Sequence, residues 1–126
     1  MAYASEHPAL AALELLNYWT GYPTMQGYRL FSADINESDI EIAPGTINTK
    51  DHVQTQAFGD LWVSEQRSFA LRVPSVAVPF SFNFLINPGH PRMASFTYVN
   101  EGNFDYDPRV NQLIATAKTP PSTPSP

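Results

Sequence analysis

The chain has 126 residues, 43% hydrophobic and 13% aromatic, which fits one globular domain that buries roughly two thirds of its unfolded surface. Only 15% of the residues are charged, the net charge is −5, and Lys and Arg do not cluster, which disfavours nucleic-acid binding. The lack of Cys excludes disulfides, thiolate catalysis and Cys-ligated metals. Because no apolar run reaches membrane-spanning length and no signal-peptide pattern opens the chain, the sequence predicts a soluble, cytoplasmic protein without a membrane partner.

The segment YASEHPALAALELLNYW near the start places one carboxylate in an otherwise apolar helix. Residues Ala2–Ser5 read as the end of a strand, and Pro8–Trp19 as a helix that His7 or Ser5 can cap. Nearly every face of this helix is Ala or Leu, which is typical of a buried helix. A buried Glu14 needs a partner or a function. The alternative is a Glu14 at the helix margin that reaches water or pairs with an Arg.

The next part of the chain mixes a strand, a loop and a helix. Residues Tyr28–Ile35 alternate well enough for a strand, and the polar stretch Asn36–Lys50 reads as a loop. Residues Asp51–Gln66 form a plausible short surface helix that is interrupted near Gly59.

From Ser68 onward the pattern changes to short strands separated by Pro and Gly. The candidate strands are FALRV, SVAV, FNFLIN, SFTYV and FDYD. Residues Val110–Ala117 form either a closing helix or a strand. These elements predict an α+β domain over residues 1–117 with a mixed or antiparallel sheet, and residues 118–126, KTPPSTPSP, are expected to be a disordered tail.

Three stretches, YASEHPALAALELL, LRVPSVAVPFSFNFLINPGHP and FDYDPRV, resemble the RES domain, the toxin half of Xre–RES toxin–antitoxin pairs. The resemblance covers roughly residues 2–110. In that family a Tyr, a Glu in an Ala/Leu-rich helix and a Ser in a Val-Pro-Ser segment line one pocket, and the matching residues are Tyr3, Glu14 and Ser75. Further matching positions in the later stretches are Asn83, Asn87, Pro88, His90, Asp107, Pro108 and Arg109.

The resemblance implies a fold similar to ADP-ribosyltransferases and cleavage of the nicotinamide–ribose bond of NAD⁺, with phosphate or a protein as acceptor. It implies that Glu14 stabilises positive charge on the ribose, that Tyr3 stacks on the substrate and that Ser75 donates a hydrogen bond to it. The catalytic residues are therefore expected to be Glu14, Tyr3 and Ser75, of which Tyr3 and Ser75 also bind substrate. No metal or cofactor is expected, NAD⁺ being a substrate. The expected partners are phosphate, an Xre-type antitoxin and a possible homodimer.

The family also has an arginine in a Gly-Arg-Trp-Asn-like segment upstream of the glutamate, and this sequence has no counterpart. We therefore expect a RES domain that is N-terminally truncated and lacks its first strands. Two alternatives follow: an inactive domain that only binds an antitoxin or a sister chain, or a native start upstream of Met1. The arginines that could replace the missing one are Arg29, Arg67, Arg72, Arg92 and Arg109.

Several of these residues also have ordinary structural interpretations. Tyr3 fits a strand aromatic, Ser75 fits a turn residue beside Pro74, and His90 fits a loop-bracing role. Neither His7 nor His52 is near a matched carboxylate in the sequence, so a catalytic triad is not supported. Asp105 and Asp107 precede Pro108 and Arg109, a pattern that indicates a structural turn with an ion pair.

Overall fold

A computed structural model describes residues 2–17 and 27–118. They form two compact units, residues 2–17 with 33–98 and residues 27–32 with 99–118. The predicted helix end at Tyr18 and Trp19 and the tail beyond residue 118 lie outside the described residues. None of the described helices is long and apolar enough to cross a bilayer.

Eleven elements follow one another along the described chain, and they confirm the predicted α+β content. The strands are β1 (Ala2–Ser5), β2 (Arg29–Ser32), β3 (Ile40–Ile42), β4 (Ala70–Pro74), β5 (Phe82–Ile86) and β6 (Val99–Asn103). The helices are α1 (Pro8–Asn17), α2 (His52–Glu65) and α3 (Pro108–Lys118), with short 3₁₀ helices at Glu37–Asp39 and Pro91–Ser95.

The first unit contains a four-stranded mixed sheet in the order β1-β5-β4-β3. Strand β5 pairs antiparallel with both β1 and β4, whereas β3 pairs parallel with β4. A parallel pair needs a crossover connection, and α2 supplies it between β3 and β4. Strand β1 lies at one edge of the sheet, and the strand that it pairs with, β5, is far from it in the sequence.

The structure corrects the prediction for residues 36–66 in two places. The stretch Asn36–Lys50 contains strand β3 and a 3₁₀ helix rather than a loop alone. Helix α2 runs through Gly59 without interruption, and this glycine is buried. The helix is stabilised at both ends, since the Asp51 side chain accepts hydrogen bonds from two backbone N–H groups and Gln66 closes it in the left-handed conformation (φ 50°). One internal Gly costs only about 1 kcal/mol, which such caps offset.

Three of the predicted strands are also wrong in whole or in part. SVAV is a loop, because the Ser75 side chain accepts a hydrogen bond from the Val78 N–H and Ser75 N–H donates to the Ser81 carbonyl. FDYD is irregular, and only the end of SFTYV belongs to a strand, β6. The ambiguous stretch after Val110 is helical, as part of α3.

The core of the first unit is centred on Trp62 of α2, which is fully buried against Leu71 and Leu85 of the sheet. The indole Nε1 donates to Ser68 Oγ at 2.8 Å, and that hydroxyl donates to the Ala70 carbonyl. The polar atom of the largest core residue is therefore satisfied without water.

Helix α1 is not buried on all sides, contrary to the prediction. Leu10 is 4% exposed, whereas Leu13 is 48% exposed. Leu10 and Glu14 are one turn apart, and Glu14 contacts β5. The Ala/Leu composition did not predict that only one face of α1 is buried. Apolar side chains are common on protein surfaces, so an apolar helix need not be buried on every face. His7 caps this helix as predicted, its Nδ1 accepting from Ala9 N–H.

The second unit pairs β2 antiparallel with β6 and ends in α3. The predicted ion pair is present, with Arg109 Nε 3.0 Å from Asp107 Oδ1. Hydrogen bonds from the Arg109 side chain, and then from its backbone N–H, hold the pKa of Asp107 below its ordinary value. Asp107 therefore lies directly before α3 and pairs locally with Arg109.

We expect Trp62→Ala to lower the free energy of unfolding by about 3–5 kcal/mol, because it removes the central core side chain. Leu61→Ala, the neighbouring position on α2 and 52% exposed, is the matched control and should cost less than about 1 kcal/mol. Urea unfolding followed by far-UV circular dichroism measures both values. Equal losses would contradict the placement of the core.

Candidate active site

The register of the sheet places a set of alternating side chains on one face. Tyr3 and Ser5 of β1 lie opposite Leu85 and Asn83 of β5, and Asn83 also lies opposite Val73 of β4. Since side chains alternate between the two faces of a strand, all five point to the same side. All five line one cleft in the first unit.

The carboxylate of Glu14 is held by two donors on this side of the sheet. Ser75 Oγ donates to Glu14 Oε1 at 2.5 Å, and Asn83 Nδ2 donates to the same oxygen at 2.9 Å. Both donor residues are 8% exposed. Hydrogen bonds to a carboxylate are stronger than those between neutral groups. No donor among the described residues reaches the other oxygen, Oε2, which leaves its lone pairs available to a ligand.

The amide of Asn83 has its orientation fixed by its neighbours. A carboxylate only accepts hydrogen bonds, so the amide nitrogen faces Glu14 and the amide oxygen faces Ser5. Ser5 Oγ donates to Asn83 Oδ1 at 2.7 Å. Ser5, Asn83, Glu14 and Ser75 therefore form one continuous hydrogen-bonded chain, which we call the Glu14 cluster.

Ser75 joins this cluster to the loop that follows β4. Its hydroxyl donates to Glu14 and accepts from Val78 N–H at 3.0 Å, and its own N–H donates to the Ser81 carbonyl at 2.8 Å. Both the hydroxyl and the N–H of Ser75 are therefore engaged within the protein. Ser75 does not itself line the cleft, although Pro74 and Val76 on either side of it do.

The cleft has a volume of about 720 Å³ and two walls of different origin. One wall comes from the sheet and α1, and it includes Tyr3, Ser5, Glu14 and Asn83. The other comes from residues 43–59, which lead from β3 into α2. Cavities of roughly 300–1,000 Å³ typically hold small molecules and cofactors.

The structure thus brings the three predicted residues to one place, with different surroundings. Glu14 is half-buried and hydrogen-bonded to Ser75, while Tyr3 is 73% exposed at the edge of the cleft. The alternative in which Glu14 pairs with an Arg is not found among the described residues. Their catalytic roles remain predictions.

None of the described arginines lines the cleft. Arg67 pairs with Glu41, Arg92 with Asp39 and Arg109 with Asp107. Arg72 stacks on the Phe82 ring, 4.3 Å from its centroid. The described residues also contain no group of three or more His, Cys, Asp or Glu that could hold a metal ion.

Sequence reasoning missed Ser5 and Asn83 as members of the site. Ser5 lies two residues after Tyr3, so strand alternation alone places it on the same face. Asn83 is the one polar residue within the apolar strand Phe82–Ile86, and a buried amide requires partners. His52 lines the same cleft from α2, although its distance in the sequence from Glu14 gave no sign of this.

Comparison with known proteins places this chain in a family. The family model described as RES domain matches residues 1–107, and the chain belongs to this family. It is 28% identical over 123 residues to "Toxin Res" of Yersinia enterocolitica, an alignment covering 86% of this chain and 76% of that protein. It is 43% identical over 54 residues to "Prs ADP-ribosylating toxin" of Sphingobium sp., covering 43% of this chain and 34% of the relative.

We expect Asn83→Asp to destabilise the protein by about 2–4 kcal/mol at pH 7, because it replaces a donor to Glu14 with a second carboxylate. The loss should shrink as the pH falls, since one of the two carboxyl groups then takes up a proton and can donate. Chemical unfolding at pH 7 and pH 4 tests this. The control is Asn48→Asp, an exposed position whose side chain accepts from Lys50 N–H. A penalty that does not depend on pH would contradict the contact with Glu14.

Proposed function

We propose that this RES domain protein cleaves the nicotinamide–ribose bond of NAD⁺ and transfers the ADP-ribosyl group to phosphate or to a protein. The observation that supports this proposal is the hydrogen bonding of the Glu14 carboxylate. One of its carboxylate oxygens is fixed by Ser75 and Asn83, and the other faces no donor among the described residues, in a cleft of about 720 Å³.

The chemistry of this reaction suits such a carboxylate. When the bond from C1′ of the ribose to the nicotinamide nitrogen breaks, its electron pair stays with the nitrogen and neutral nicotinamide leaves. Positive charge then develops on C1′ and the ring oxygen, and a nearby fixed carboxylate stabilises it without reorganising. A phosphate oxygen, or a nucleophilic group of a protein acceptor that releases its proton to solvent, then forms the new bond to C1′.

The other residues of the site have supporting roles in this proposal. Tyr3 offers an exposed ring at the edge of the cleft, on which a nicotinamide or ribose can stack. Ser75 and Asn83 orient Glu14 by donating to one of its oxygens, and Ser5 fixes the amide of Asn83. Ser75 is therefore better suited to positioning the carboxylate than to contacting substrate.

The acceptor and the partner belong to the same proposal. One relative is named a Prs ADP-ribosylating toxin and another Toxin Res, which supports a toxin that transfers ADP-ribose. Its acceptor in this proposal is phosphate or a protein. An Xre-type antitoxin would then be the protein that restrains it in the cell. NAD⁺ is the substrate in this proposal, and no further cofactor takes part.

We expect the purified chain to release nicotinamide from NAD⁺, and Glu14→Gln to lower this rate at least about 10²- to 10³-fold, the loss typical of removing one electrostatic group. Chromatography of nicotinamide, with and without phosphate, measures the rate and the need for an acceptor. Glu65→Gln, the same change at an exposed position of α2, should leave the rate unchanged.

Two results would oppose this proposal. An unchanged rate in a folded Glu14→Gln variant would remove the carboxylate from the mechanism. If the wild-type chain binds an antitoxin but releases no nicotinamide with any acceptor, the binding-only alternative replaces the enzyme.

The role of Ser75 is tested separately with Ser75→Ala. Because its hydroxyl is engaged by Glu14 and Val78, we expect kcat to fall about tenfold or more and KM for NAD⁺ to change little. Steady-state kinetics separate the two constants. Ser81→Ala is the control, since the bond from Ser75 N–H to Ser81 uses only the backbone carbonyl. A raised KM with unchanged kcat would make Ser75 a substrate contact instead.

A further inference from the structure

The three histidines of the chain differ in what their side chains do. His7 Nδ1 accepts from Ala9 N–H at 3.0 Å, and His90 Nδ1 accepts from Arg92 N–H at 3.1 Å, so both close local turns. The imidazole of His52 makes no such bond with the described residues. It is exposed, and it lines the cleft from α2, whereas Glu14 lines the cleft from α1.

The charges around the cleft are unevenly distributed. Among its described lining residues there is no Arg or Lys, and the ionisable side chains are Tyr3, Glu14 and His52. A dinucleotide carries positive charge on its nicotinamide and two negative charges on its pyrophosphate. Glu14 attracts the first and repels the second, so the pyrophosphate needs a donor elsewhere in the cleft.

We propose that His52 binds the pyrophosphate of the dinucleotide and so directs its nicotinamide end towards Glu14. This inference rests on the proposed function. An imidazole donates an N–H to a phosphate oxygen in its neutral form, and as a cation it adds a charge-assisted bond. One wall then binds the positively charged nicotinamide through a carboxylate, and the other binds the negatively charged pyrophosphate through an imidazole.

Several polar side chains near His52 make hydrogen bonds within the protein. Thr55 Oγ1 donates to the His52 carbonyl, and Gln56 Nε2 donates to Asp60 Oδ1 at 2.9 Å. Asp51 accepts from Val53 and Gln54 N–H groups at the start of α2. His52 is thus the one ionisable side chain among the described lining residues of this wall, and the one that can meet a phosphate as a cation.

A charge series at position 52 tests the inference through the affinity for ADP-ribose, which contains the pyrophosphate but no scissile bond. We expect His52→Gln to weaken binding about three- to tenfold and His52→Glu more than tenfold, whereas His52→Arg should bind as tightly as wild type or tighter. For NAD⁺ turnover, the same variants should change KM and leave kcat within about twofold.

Val53→Arg is the matched control, because it adds the same charge one residue along α2 at a side chain that is 80% exposed and outside the cleft lining. Lys50→Gln tests the nearest other cation in the sequence. Isothermal titration calorimetry gives the dissociation constants, and circular dichroism confirms that each variant is folded.

The outcomes separate this inference from the proposed function. Suppose that wild type cleaves NAD⁺ but all position 52 variants bind ADP-ribose with the same affinity, or that Val53→Arg or Lys50→Gln changes this affinity as much as they do. His52 is then not the pyrophosphate contact, and the enzyme assignment stands. If wild type neither binds ADP-ribose nor cleaves NAD⁺, both proposals fall.

Discussion

One carboxylate oxygen, Glu14 Oε1, joins three distant parts of the first unit. Its donors, Ser75 and Asn83, lie 61 and 69 positions away in the sequence. The oxygen therefore ties α1 to strand β5 and to the loop after β4. A half-buried carboxylate without these donors would favour a different packing of the helix, because burial of an unpaired charge is costly. The position of the helix and the geometry of the cleft thus depend on the same pair of hydrogen bonds.

The elements that the sequence predicted correctly are those with a strong local pattern. Pro8 and the Ala/Leu run specify α1, and the FALRV and FNFLIN stretches specify β4 and β5. Strand β3 was missed because three residues, Ile40–Ile42, are too few to show a period, and its pairing with β4 depends on α2. SVAV has the composition of a strand, but a side-chain hydrogen bond from Val78 to Ser75 overrides that propensity.

The candidate site was predictable in residue type but not in arrangement. The family motifs pointed to Tyr3, Glu14 and Ser75, and strand parity extends that set to Ser5. No local signal, however, could show that the Ser75 hydroxyl is engaged by both Glu14 and Val78, since that follows from the closure of the loop around it. The place of His52 in the cleft could not be predicted either. The crossover that carries it is close to the sheet in space but remote from α1 in the sequence.

The parallel pairing of β3 with β4 has a consequence for how this cleft can vary. The crossover that this pairing requires contributes residues 43–59 to one wall, whereas the Glu14 cluster comes from α1, β1, β5 and the loop after β4. The two walls are therefore separable in evolution and in engineering. Residues between β3 and α2 can be inserted, deleted or exchanged without touching a donor to the carboxylate. A fold arranged in this way can diversify the molecules that fit its cleft while the Glu14 cluster stays unchanged.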